Sequence, residues 1–112
     1  MEFTTKRLER VDLMKVSGRI DHQTAPVLEK ALQAIVDEGR HNLIVDLGEV
    51  SYISSAGLKV LQAMAKAVRG GLTPGDVRLL NLKPNLKEIF DTIGFTSLFK
   101  IYDDPVDAVG SF

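Results

Sequence analysis

Apolar and polar positions along this chain change their period several times, and each change marks an element. Alternation runs through Phe3 to Leu8 and again through Val11 to Val16, which predicts two short strands joined as a hairpin near Glu9-Arg10. Ser17-Gly18 is expected to break the second strand. The period then lengthens. Ala25, Leu28, Ala31, Leu32, Ile35 and Val36 recur at helical spacing, with Thr24 placed to cap the helix, Pro26 tolerated in its first turn and Gly39 suited to the stop after Glu38. Asn42 to Leu47 read as the next strand, apolar through Leu43, Ile44 and Val45, and a short polar turn follows. Ser54 and Ser55 open a second amphipathic helix with Leu58, Leu61, Ala65 and Val68 on its inner face, ended by Gly70-Gly71. Beyond the loop at Leu72 to Gly75, the pattern predicts a strand over Val77 to Asn81 and a short helix from Pro84 to Ile93, stopped by Gly94. Lys100 to Tyr102 make a last short strand, and Asp103 is expected to cap a terminal helix that includes Pro105.

This order implies an α/β fold: one domain spanning residues 1–112, with a mixed, mostly parallel sheet of about four or five strands and about four helices. The strand–helix–strand units after Val11 should be parallel and joined by right-handed crossovers. In such sheets, sites gather where strand C-terminal ends meet helix N-termini. Two loops share that edge, Gly18 to His22 and Val50 to Ser55, so Asp21 and Ser55 are expected on one surface despite their separation in sequence.

Composition removes several function classes. With 112 residues, 45% of them hydrophobic and 26% charged, the chain has ordinary globular composition and is long enough for its own core. It holds no cysteine, which excludes disulfides, zinc–thiolate sites and thiol catalysis. Fourteen basic residues against 15 acidic ones give no electrostatic grip on nucleic acid or anionic lipid. No apolar run approaches the roughly 20 residues of a membrane span, and the N-terminus lacks a signal-peptide core, so a cytoplasmic protein without direct membrane contact is expected. His22 and His41 are the only histidines and neither has a second ligand at metal spacing, so no metal and no cofactor are expected.

Enzyme motifs are equally sparse. Ser55-Ala56-Gly57 is half of a nucleophile elbow, but position 53 is Ile and no histidine follows Ser55. There is no phosphate-binding glycine loop, and Asp46-Leu47 lacks the paired acids of a receiver domain. The serine pair is the chemistry that remains. An N-terminal helix turn offers free amides and the positive end of the helix dipole, so a serine hydroxyl there can carry a phosphate without melting the helix. A plain helix cap accounts for the same residues. Gly57 would let a partner's backbone approach closely, or is a small residue in a crowded first turn. Asp21 reads either as a partner contact or as an acceptor of loop amides. Asp46 is expected to bond a neighbouring loop, and Phe90, Phe95, Leu98 and Phe99 to fill the core.

Three segments, in order and at the right spacing, resemble the STAS domain, the fold of bacterial anti-sigma factor antagonists. They are VSGRIDHQTA (Val16 to Ala25), LIVDLGEVSYISSAGLKVL (Leu43 to Leu61) and LLNLKPNLKEIFDTIGFTSLFKIYDD (Leu79 to Asp104). The resemblance implies a regulatory binding protein rather than an enzyme. Its partner would be an anti-sigma factor that is also a serine protein kinase, and a PP2C-type phosphatase would reverse the modification. The residue matching the family's phosphorylated serine is Ser55, with Ser54 as the alternative acceptor, since Ser54 stands where the family usually has Asp. Asp21, Ser54, Ser55, Ala56 and Gly57 would form the partner-binding surface. A STAS module that is not phosphorylated, acting as an accessory subunit of a lipid-transport complex or as a scaffold, is the alternative reading.

Overall fold

The computed structural model describes Met1 to Phe112. Five strands form one sheet in chain order: β1 (Glu2–Arg7), β2 (Asp12–Ile20), β3 (Asn42–Ile53), β4 (Asp76–Leu80) and β5 (Ile101–Tyr102). β1 runs antiparallel to β2, and every later neighbour is parallel. The connections are α1 (Ala25–Asp37), α2 (Ser55–Arg69) and α3 (Pro84–Thr92), and α4 (Pro105–Gly110) follows the last strand. Because the strand order advances in one direction, right-handed crossovers carry α1, α2 and α3 to the same face. The main core lies there, where Met14 and Val16 of β2, Leu43, Val45 and Leu47 of β3, and Val77 and Leu79 of β4 meet the apolar stripes of the helices. The alternate residues of the same strands face the other way, and α4 closes a small second cluster of Val11, Ile44, Leu80 and Ala108. Phe90, Phe95 and Phe99 pack with ring centroids 5.8 and 5.7 Å apart, as core residues.

The α/β class, the mixed sheet and the element order agree with the sequence pattern; the elements differ from it in four places. β2 does not end at Ser17-Gly18 but runs on to Ile20, and β3 runs through the expected polar turn to Ile53. The two strands stay paired because β3 has extra residues: the register shifts between Lys15 and Ser17 and again between Gly18 and Arg19. Gly18 sits beside these irregularities with a φ of +91°, a conformation that disfavours other residues. The two remaining differences are caps. Thr24 has α-helical backbone and makes no side-chain cap bond to its helix; Asp21 does that work, as described below. At α4 the cap is Asp104 rather than Asp103, its carboxylate accepting the Val106 amide at 2.7 Å, because the residue immediately before Pro105 is the one with extended backbone.

Two arginine–aspartate clusters tie the elements together at the other end of the sheet. Asp12 is only 3% exposed, and its carboxylate bonds Arg40, which follows α1, and Arg7 on β1. Asp76 takes Arg69 of α2 on one oxygen at 2.7 Å and Arg78 of β4 on the other at 3.0 Å, while Arg78 also reaches Ser111 and stacks on Phe112.

Candidate functional site

The extension of β2 and β3 is what builds the site. β4 pairs with β3 only from Asn42 to Asp46, so the ribbon of β2 and β3 continues alone past the end of β4, with Arg19 opposite Tyr52 and Ile20 opposite Ile53. At its tip the Ser54 amide donates to the Ile20 carbonyl at 2.8 Å, which fixes the start of α2 against the loop that leads into α1. The two loops picked out in the sequence therefore adjoin.

The paired serines divide their work. Ser54 has extended backbone (φ −84°, ψ 170°), and its hydroxyl oxygen accepts from the Gly57 amide at 3.3 Å, while its carbonyl accepts from Leu58. It is the cap of α2. Ser55 is the first helical residue; its side chain is exposed and makes no hydrogen bond within the chain. Ala56 is half-buried and Gly57 is buried. A Cβ on Gly57 would lie 2.6 Å from Ile20 Cγ2 and 2.8 Å from Ile53 Cγ1. The bare position thus faces the tip of the ribbon, and its small size serves the seating of α2.

Asp21 is bound into a reciprocal cap at the start of the α1 turn. One carboxylate oxygen accepts the amides of Gln23 at 2.9 Å and Thr24 at 3.0 Å, and the Thr24 hydroxyl accepts the Asp21 amide at 2.9 Å. Those donors, the Thr24 amide first and the Gln23 amide second, hold the Asp21 carboxyl below the usual carboxylate range, helped by the nearby charge of Arg19. The acid is ionised at neutral pH and half-exposed at the mouth of the site.

Two shallow hollows flank the serines. One, of about 340 Å³, is lined by Arg19, Asp21, His22, Gln23, Tyr52 and Ser54. The other, of about 320 Å³, lies between α1 and α2, where Ala56, Lys59 and Val60 face His22, Pro26 and Glu29. Arg19 rests on the Tyr52 ring at 4.4 Å and has no carboxylate partner. The structure thus brings Asp21 and Ser54 to one hollow and Ala56 to the other, with His22 shared by both, while Ser55 is exposed and lines neither and Gly57 is buried. The stacked pair of Arg19 and Tyr52 has no signal in the sequence, because Tyr52 comes opposite Arg19 only through the two register shifts between β2 and β3. Asp46 lies away from the site, accepting from the Gly48 amide of its own strand and, as expected, from a neighbouring loop, through the Asn81 side chain just after β4. His41 bonds the Thr73 carbonyl, and no group of three or more potential metal ligands occurs.

Comparison with known proteins agrees with this architecture. The family model of the STAS domain matches residues 2–108. The BtrV protein of Bordetella bronchiseptica, which bears the name of an anti-sigma factor antagonist, is 34% identical over 112 residues, covering 100% of this chain and 95% of its own length. The anti-sigma-B factor antagonist of Bacillus subtilis is 33% identical over 88 residues, 79% of this chain and 78% of that protein. A crystal structure of an anti-sigma factor antagonist from Mycobacterium paratuberculosis superposes with a TM-score of 0.85 at 29% identity, covering 98% of this chain and 92% of that one. Strand order, helix placement and sequence agree, and the chain belongs to the STAS domain family, among the anti-sigma factor antagonists.

Proposed function

We propose that this protein binds an anti-sigma factor through the surface formed by Asp21, Ser54, Ser55, Ala56 and the first turn of α2, and that phosphorylation of Ser55 by that partner releases it. Gly57 contributes by holding this turn against the ribbon. The observation that carries the reading is the division of labour between the serines. Ser54 spends its oxygen on the cap, which leaves Ser55 exposed and chemically free at the positive end of a 15-residue helix. The names of the relatives supply the partner class.

The energetics suit a switch. A phosphate adds about −1.5 to −2 charges at neutral pH. The helix dipole favours that charge, so the fold loses little. A partner surface complementary to a neutral hydroxyl meets a steric clash and a buried, unpaired charge. A penalty of about 2.7 kcal/mol weakens binding about a hundredfold, enough to empty the complex.

Site-localised mass spectrometry on protein from its native cells, in growth and under stress, tests the assignment. Phosphate on Ser55 that varies with condition and vanishes in Ser55→Ala is the expected result. Phosphate on Ser54 alone moves the acceptor by one residue. A chain that carries phosphate on neither serine in any condition refutes the switch and leaves the non-phosphorylated binding module.

A further inference from the structure

The outer strand of the sheet carries a charge pattern that the rest of the molecule does not use. β1 is exposed along its whole length and paired on one edge only, with β2. It is also regular: its register with β2 runs unbroken from Glu2 opposite Ser17 to Arg7 opposite Asp12, and it contains no proline. Such an edge presents free main-chain N–H and C=O groups that can accept another strand. Most charges nearby are already matched. Arg7 bonds Asp12 and Glu38, and Lys15 on β2 lies 3.5 Å from Glu49. On β1 itself the charges left over are Glu2 and Lys6, each without an ionic partner within the chain. They share one face of the strand, with Thr4 midway between them. On the opposite face Phe3 keeps 40% of its surface exposed.

We propose that β1 pairs antiparallel with β1 of a second copy of this chain, about a twofold axis at Thr4, so that one sheet runs through the dimer. A twofold axis perpendicular to a sheet keeps every side chain on its own face, and opposed residues of an antiparallel pair share a face. A residue on the axis therefore stands opposite its own copy. Centred on Thr4, the register sets Glu2 against the partner's Lys6, and symmetry makes the pair twice. Phe3 then lies opposite the partner's Thr5 and diagonal to the partner's Phe3, at the roughly 7–8 Å backbone separation that aromatic rings bridge. Other centres fail the charges. About Thr5, Lys6 meets Thr4 and Glu2 has no strand residue opposite; about Phe3, Glu2 meets Thr4 and Lys6 is left over. The same two charges that discourage a foreign strand on this edge are satisfied by a second copy. One strand edge is a small interface, so the dimer is a weak, reversible one.

Sedimentation equilibrium of the untagged chain across the micromolar-to-millimolar range tests the pairing. A reversible monomer–dimer equilibrium is expected. Glu2→Lys and Lys6→Glu should each weaken dimerisation about tenfold, by turning two attractions into two repulsions. The double variant Glu2→Lys/Lys6→Glu should regain the original association, because each pair is restored with its signs exchanged. Circular dichroism and urea midpoints of all three variants check that the fold is intact. A chain that stays monomeric to millimolar concentration overturns the proposal. So does a dimer that either single reversal leaves unchanged, or a double variant no tighter than the singles.

Discussion

Replacing Gly57 by alanine tests how α2 is held against the ribbon. In an open helix this change is favourable by about 0.8–1.0 kcal/mol, because alanine has the best helix propensity and glycine one of the worst. Here the new methyl would lie 2.6 Å from Ile20 Cγ2, and 2.8 and 3.3 Å from Ile53 Cγ1 and Cδ1, both residues being buried. The two nearest atoms are bonded directly to the Cβ of β-branched side chains, so they cannot swing aside without leaving their rotamers or moving the strands. Overpacking of this kind costs about 1–3 kcal/mol, and the short distances place it towards the upper end. A net loss of about 1–2 kcal/mol follows, or a Tm lower by roughly 5–10 °C. Urea and thermal denaturation measure both. Gly110→Ala is the internal control: it is helical, an added Cβ meets nothing within 4 Å, and it should gain about 0.4–1 kcal/mol. A Gly57→Ala protein as stable as the parent, or stabilised like Gly110→Ala, would refute the contact argument.

Acid titration of Asp21→Asn and of the parent chain should diverge. The Asp21 carboxyl is depressed in the folded state, so its stabilisation is present above the unfolded value near 3.9 and is lost as pH falls through the folded value. The variant's urea stability should change less with pH below about 4, and parallel curves would remove Asp21 as a contributor. Asp12→Asn should cost about 3 kcal/mol, since it leaves Arg40 without its carboxylate in a site where Asp12 is 3% exposed. Arg7→Ala, which removes a half-exposed partner of the same acid, should cost under about 1 kcal/mol in the same urea assay.

Where the sequence misled, one interaction was competing with another. The parallel core strands and the two long helices, α1 and α2, announce themselves through unbroken apolar runs and helical spacing, and the structure follows them. Gly18 reads as a strand end because glycine usually interrupts alternation, and the polar residues after Leu47 read as a turn. In the folded chain β3 absorbs two register shifts and keeps its apolar positions, Leu47, Val50 and Ile53, on the core side. Thr24 looked like a cap because it directly precedes the helical spacing. Asp21, three residues earlier, holds two amides at once and wins that role. At the candidate site the serine pair and Asp21 could be picked out by residue type, whereas the stack of Arg19 on Tyr52 exists only through the shifted register. Gly57 shows its purpose only once Ile20 and Ile53 converge on it from two strands.

The sheet keeps its strands in the order in which they are synthesised, from β1 to β5. Each strand therefore pairs with the strand next to it in the chain, and none lies between two that precede it in sequence. Loop closures stay short for a largely parallel sheet, which limits the entropy spent before contacts form and favours rapid folding. A circular permutation that opened the chain between α1 and β3 would set β2 and β3 nearly a chain length apart, and it should fold more slowly while reaching the same structure.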